Sequence, residues 1–149
     1  MNTQAATRPP AINQPWPEQG GIYSGSRLIG GVEHHVVIAD SVKHDVKKFP
    51  QFHITRSDVE AGVSRAGHIN GFTDWRAPDQ EDLQLAFVNC REHFSQEMWD
   101  DVYITQTPFE GHLWTMEFET GTAINSDSSG NYRLRVVRHV VLDSTPTGA

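Results

Sequence analysis

Apolar and polar positions follow a strand-like pattern in the first forty residues. Residues 33–39 carry a continuous Val-Val-Ile run, which is typical of a strand that is buried on both faces. A shorter strand is predicted at residues 22–24, and Gly30–Gly31 predicts the turn that precedes the longer one. The chain therefore opens with a strand, a glycine-rich turn and a second strand.

The last fifty residues return to strand-like patterns. Residues 113–118 alternate, with Trp114, Met116 and Phe118 on one side, and a turn is predicted at Thr120–Gly121. Further strands are predicted at residues 102–105 and 132–142, with a polar loop at 125–131. This order favours an α+β fold with a hairpin-rich sheet, in which the first strand closes the sheet against the last.

A short helix is predicted between the two strand regions, at residues 57–66. Ser57 can cap it, and Glu60 stands three residues later, which is the spacing of a capping box. Gly67 predicts its end.

A second helix is predicted from Asp79 to about Asn89. Pro78 precedes it, Asp79 can cap the free amides, and Asp82 stands at the capping-box spacing. The stripe expected to face the core consists of Leu83, Ala86, Phe87 and Cys90.

The chain's 149 residues suit one domain, and aromatic residues from Trp16 to Tyr132 supply one core. Residues 1–15 are polar and proline-rich, which predicts a flexible arm. We expect a single domain over residues 16–143 and a loose tail over 144–149.

Charge is unevenly distributed. The net charge is −7, and the segment 79–110 alone holds eight acids and one base, so the remaining residues are balanced. An acidic domain repels phosphates, which disfavours direct binding to nucleic acid. The segment predicts either an acidic face that steers a basic partner or an ordinary solvated helix face.

Cys90 is the single cysteine, so no internal disulfide and no thiolate-rich zinc site is expected. Residues 1–19 lack the basic start and apolar run of a signal peptide, and no apolar stretch approaches membrane-spanning length. We expect no membrane association and a cytoplasmic protein, with virion association as the alternative.

Metal and catalytic motifs are weak. The eight histidines lack the spacing of a zinc site. The loop from Asn125 begins like an EF-hand, but Val136 stands where the closing glutamate belongs, so a self-bonded hairpin loop is favoured. Phosphate-cradling and nucleophile motifs are missing, and Cys90 falls on the apolar stripe. We therefore expect no cofactor, no metal and no enzymatic activity.

Residues 71–83 read GFTDWRAPDQEDL, which resembles the G-x-x-D-W-R-L-P-T-x-x-E-L signature of the collagen-like-protein C-terminal domain family. YITQT at 103–107, WTMEF at 114–118 and RVVR at 135–138 resemble later pieces of that family in order. The opening residues 20–25 and 35–38 resemble a phage-associated branch. Ala77 and Ile104 stand where the family has Leu and Trp.

The resemblance implies a C-type-lectin-like fold, with two short helices on a mostly antiparallel sheet and long loops. It also implies a bacterial, phage or prophage setting. From the residues themselves, Trp75 is expected to be buried, whereas Asp74 and Arg76 are expected to fix loops by hydrogen bonds and an ion pair.

The recognition surface is expected on the long loops and late strands, where Tyr103 and Trp114 are either anchors or core residues. The leading hypothesis is a protein-binding module that inhibits a host protein with a basic, nucleic-acid-handling surface. The alternatives are an adhesin for a receptor or glycan, and an enzyme of unknown type; the oligomeric state is left open. The residues predicted to bind the partner are Glu92, Glu97, Asp100, Asp101, Phe109, Glu110 and His112.

Overall fold

Two α-helices and two mostly antiparallel sheets form an α+β fold in a computed structural model that describes residues 8–50, 53–97, 101–126 and 131–142. The helices are α1 (Arg56–Ala66) and α2 (Gln80–Cys90). The strands are β1 (Pro15–Trp16), β2 (Gly21–Ile29), β3 (Val32–Ile38), β4 (Val102–Phe109), β5 (His112–Met116), β6 (Ala123–Asn125), β7 (Tyr132–Arg133) and β8 (Val137–Val140).

The first sheet has the order β1-β2-β3-β8, and every neighbouring pair is antiparallel. Val36, Val37 and Ile38 of β3 are fully buried, and they divide between the two hydrophobic clusters on opposite faces of the strand. The prediction of a strand buried on both faces is confirmed. The first and last strand regions share this sheet, as predicted, but they do not pair, because β3 lies between β2 and β8. The late hairpin strands form a separate second sheet, so the prediction of one sheet was wrong.

The second sheet has the order β6-β5-β4-β7, in which only β4 and β7 run parallel. The final strand prediction was too long, because the segment breaks into β7 and β8, which belong to different sheets. Between them Leu134 exchanges two backbone hydrogen bonds with Val46, and Leu134, Arg135 and Val136 are all completely buried. The segment therefore crosses the core instead of alternating between core and solvent.

The predicted N-cap of α1, Ser57, was wrong by two residues. Thr55 is the N-cap, and it exchanges hydrogen bonds with Asp58, which closes the capping box. Ile54 before the cap and Val59 on the first turn are both buried in one cluster, an arrangement typical of a hydrophobic staple. Burial of this pair fixes the start of the helix at Arg56.

The block before α2 behaves as predicted. Trp75 is 5% exposed, and its indole N–H donates to the Ile69 carbonyl. Asp74 pairs with Arg138 at 2.6 Å, which holds the pKa of the Asp74 carboxyl below its usual range. Asp79 caps α2 and exchanges capping-box bonds with Asp82.

Candidate binding surface

The hairpin between β4 and β5 presents aromatic rings outside the core. Glu110 and Gly111 form its two-residue connection, and both have positive φ values, 50° and 83°. Phe109 and His112 are cross-strand partners, and Trp114 lies two residues further along the same face of β5. The turn therefore places three rings on one face, with Leu113 facing the core on the other.

These rings stack in two pairs. Phe109 lies against Trp114, with ring centroids 3.8 Å apart and an interplanar angle of 15°. His112 stacks on His53, with centroids 5.7 Å apart. Phe109, His112 and Trp114 are all half-buried, so each ring keeps an accessible portion. We call this set the hairpin tip: Phe109, Glu110, Gly111, His112 and Trp114.

A groove of about 420 Å³ adjoins the hairpin tip. Its walls come from the segment His53–Arg56 at the start of α1 and from four hairpin residues: Pro108, Gly111, His112 and Leu113. Ile54 and Leu113 are buried, which gives the groove an apolar floor beneath partly polar walls. Concave, mainly apolar surfaces with a few polar groups are typical of binding sites.

A second groove of about 430 Å³ shares Arg56 with the first. Val59, Val63, Trp75 and Ala77 contribute apolar groups to it. At the irregular part of β4, Gln106 donates its backbone and side-chain N–H groups to the carbonyls of Pro78 and Ala77. This contact fixes β4 against the block that holds Trp75.

The structure divides the predicted partner-binding residues between the two ends of β4. Asp101 precedes its first residue, and the Asp101 amide donates to the Glu97 carbonyl. Phe109, Glu110 and His112 stand at its other end, about 25 Å away by the rise of an eight-residue strand. Asp100 lies outside the described residues.

The acids among them have different surroundings. Glu92 and Glu97 are exposed, and Glu92 accepts a 2.6 Å hydrogen bond from Asn13. Asp101 is buried, where it pairs with Arg133 at 2.8 Å and accepts a hydrogen bond from Ser95. The carboxylate of Asp101 is therefore already engaged inside the fold.

The sequence pointed to Phe109 and His112 and left Trp114 as either an anchor or a core residue. It gave no indication of His53 or Arg56. Tyr103 proves to be a core residue, with a fully buried ring and a 2.6 Å hydrogen bond to Asp45. No local signal marks His53 or Arg56, because each meets a hairpin more than fifty residues away.

Titratable groups also converge at the N-terminus of α2. One oxygen each of Asp79 and Asp82 and a ring nitrogen of His139 lie within 4.8 Å of one another, as the ligands of a metal ion would. Arg27 donates to both carboxylates, at 3.1 and 2.8 Å. A cation would have to displace Arg27, so the arrangement fits an internal ion-pair network better than a metal site.

Both ring nitrogens of His139 have partners. Nε2 contacts Asp82 at 3.0 Å, and Nδ1 contacts Arg76 at 3.3 Å. Burial raises the pKa of Asp82, but hydrogen bonds from His139 and the Asp79 amide outweigh it and leave that pKa below its usual range. His139 is therefore held as a positioning group between charges, without a free nitrogen for proton transfer.

The Cys90 thiol is enclosed under α2. The residue is 0% exposed, and burial raises the pKa of the thiol to about 12. A thiol in this environment is a poor nucleophile.

No protein-family model and no curated protein matches the chain. Within the part of the chain that the structure describes, no helix is long and apolar enough to cross a membrane.

Proposed function

We propose that the chain is a non-enzymatic protein-binding module that docks through its hairpin tip. The observation that carries the proposal is the pair of stacked ring contacts, Phe109 on Trp114 and His53 on His112, beside a groove of about 420 Å³. Aromatic side chains dominate the energetic centres of protein interfaces, and a rigid hairpin holds them at low entropic cost.

The C-type-lectin-like fold and the inhibition of a host protein by a phage or prophage product remain part of this proposal. They are supported by the resemblance of residues 71–83 to the family signature and by the structural role of Trp75 within that block. The α+β architecture is compatible with that fold. Fold resemblance by itself does not identify a partner.

The test is a pull-down with the biotinylated chain in lysate of its native cells, read by mass spectrometry. The double variant F109A/W114A removes the stacked pair, and V88A, the control, removes from α2 an apolar side chain that is 74% exposed. We expect one set of proteins that wild type and V88A capture and that F109A/W114A loses. Capture that survives the double variant would reject the hairpin tip.

The hypothesis that acidic residues of the chain bind a partner with a basic surface needs a separate experiment. Asp101 is buried and paired, so its reversal would disturb the fold, whereas Glu97 and Glu110 are exposed at opposite ends of β4. E97K and E110K therefore test each end by itself. A partner with a basic surface predicts slower association and a weaker salt dependence for the variant whose acid faces it.

Glycan binding is a second candidate, favoured by the stacked and partly accessible Phe109 and Trp114. It predicts a glycan-array signal with the wild-type chain that W114A abolishes and V88A retains. An array without any wild-type signal would remove this candidate.

A further inference from the structure

Arg56 lines both grooves. Val59, Val63 and Trp75 line the groove of about 430 Å³ with it. Pro108, His112 and Leu113 line the groove of about 420 Å³ with it, beside the hairpin tip. We call the two grooves with their shared guanidinium the trough, and both take lining residues from the start of α1.

The charges along this trough differ from those of the chain as a whole. Among the residues that the structure describes, two arginines line it, Arg56 and Arg76, against one acid, Glu60, although the chain carries a net charge of −7. Arg76 is engaged with Asp79 at 3.4 Å. The side chain of Arg56 is 59% exposed, and its contact with Glu60 is long at 4.0 Å.

We propose that this trough binds an extended acidic segment of a partner protein, with one carboxylate on Arg56 and an apolar side chain in each groove. The proposal rests on the proposed protein-binding function and names the chemistry of the partner. A guanidinium binds a carboxylate through two parallel hydrogen bonds. In an extended segment every second side chain points to the same side. A segment with an acid and an apolar residue two positions away on each side therefore matches the trough.

Other anionic partners fit this surface less well. A nucleic-acid backbone requires several cations in a row, whereas the trough offers one weakly engaged guanidinium within a negatively charged molecule. A carboxylate beside apolar groups needs one cation and two apolar hollows, which is what Arg56 and the grooves provide.

The first experiment pans a phage-displayed random dodecapeptide library against the full chain. Selected peptides are then synthesised with fluorescein, and their affinities are measured by fluorescence anisotropy. We expect enrichment of peptides that carry Asp or Glu between apolar residues. No enrichment, or enrichment of basic peptides, would overturn the proposal.

Charge variants then locate the peptide. R56E should weaken binding by about tenfold or more, because the guanidinium–carboxylate contact is lost and repulsion replaces it. Arg56 is the first residue of α1, where an acid is favourable to the helix dipole, so the variant should fold. R8E makes the same change in net charge at an exposed residue outside both grooves, and it should bind within about twofold of wild type.

E60Q makes the opposite change in the charge of the trough. Removing the carboxylate of Glu60 from the trough lining should tighten binding of an acidic peptide. Equal affinities for R56E, R8E and wild type would overturn the proposal even if acidic peptides were selected.

The outcomes separate this proposal from the proposed function. If native partners are lost with F109A/W114A while no acidic peptide is selected, the hairpin tip binds protein and the acidic-segment proposal fails. If the pull-down captures nothing that depends on the hairpin tip, the proposed function itself fails. A glycan-array signal that R56E abolishes, without peptide enrichment, would assign the trough to carbohydrate and also overturn the acidic-segment proposal.

Discussion

Arg135 shows how one residue joins distant parts of the chain. Its side chain and that of Asp45 are 0% exposed, and Nε lies 2.6 Å from a carboxylate oxygen. The other two guanidinium nitrogens donate to the carbonyls of Ala39 and His93. Asp45 also accepts from Tyr103, so both ions have partners that offset the cost of burial.

The first prediction concerns this pair. Asp45→Ala leaves Arg135 buried without its counter-ion, so we expect the free energy of unfolding to fall by about 3–5 kcal/mol. Urea denaturation followed by circular dichroism measures the loss. Asp40→Ala removes an exposed acid nearby and should leave the unfolding midpoint nearly unchanged. A small effect of Asp45→Ala would show that water reaches Arg135.

At the scale of elements, α1 tests how a helix start is chosen. Both Thr55 and Ser57 precede an acid by three residues, so the sequence supports either as the cap. The structure selects Thr55, because the helix can then place Ile54 and Val59 together in the core. Tertiary packing decides between two local signals of similar strength.

The second prediction separates these two caps. Thr55→Ala removes the hydroxyl that accepts from the Asp58 amide, and it should lower stability by about 1 kcal/mol. Ser57→Ala changes an exposed position inside the first turn and should be neutral or slightly stabilising. Both variants are compared by chemical denaturation. If Ser57→Ala is the more damaging of the two, Ser57 caps the helix in solution.

Local sequence patterns predicted the features of single elements better than they predicted which elements contact one another. The capping box of α2, the burial of Trp75 and the two-faced burial of β3 each depend on a few neighbouring residues, and each is confirmed. The break between β7 and β8 could not be predicted, since a β-branched run is compatible with one long strand. Its cause is the crossing of the core at Leu134, a tertiary constraint.

The candidate site was predicted only in part for the same reason. Phe109 and His112 were predicted on an aromatic-rich loop, which proves to be a two-residue hairpin turn with its flanking strands. The contact of His112 with His53 joins segments that are far apart in sequence. The acidic segment 79–110 looked like one surface because its charges are close in sequence. In the fold, Arg27 neutralises Asp82 and Arg133 neutralises Asp101, through contacts that composition does not reveal.

At the scale of the whole molecule, the charged network at the N-terminus of α2 makes the packing of α2 on the first sheet sensitive to pH. His34 on β3 faces His139 on β8, with ring centroids 5.4 Å apart, and its buried Nδ1 has no hydrogen-bond partner among the residues that the structure describes. Burial lowers the pKa of His34, and the nearby charges of His139, Arg27 and Arg76 lower it further, against the opposing charge of Asp82.

The third prediction is the resulting loss of stability in acid. The unfolded chain protonates His34 near pH 6.5, whereas the folded chain does so only at lower pH, so the unfolded state binds more protons between these values. Stability should therefore fall as the pH drops below about 6.5. Asp82 adds a later stage, because its folded pKa is also lowered and its contribution is lost only below about pH 4.

His34→Gln separates the two stages. The variant removes the group that titrates in the upper stage, and it loses no Nδ1 hydrogen bond because that atom has none. Urea midpoints measured from neutral to acid pH should fall less steeply for the variant than for wild type between pH 7 and 5, while the decline below about pH 4 stays the same. Apart from His139, which contacts His34, the other histidines are common to both proteins and cancel in the comparison. Parallel curves between pH 7 and 5 would show that His34 takes up its proton as readily in the fold as in the unfolded chain.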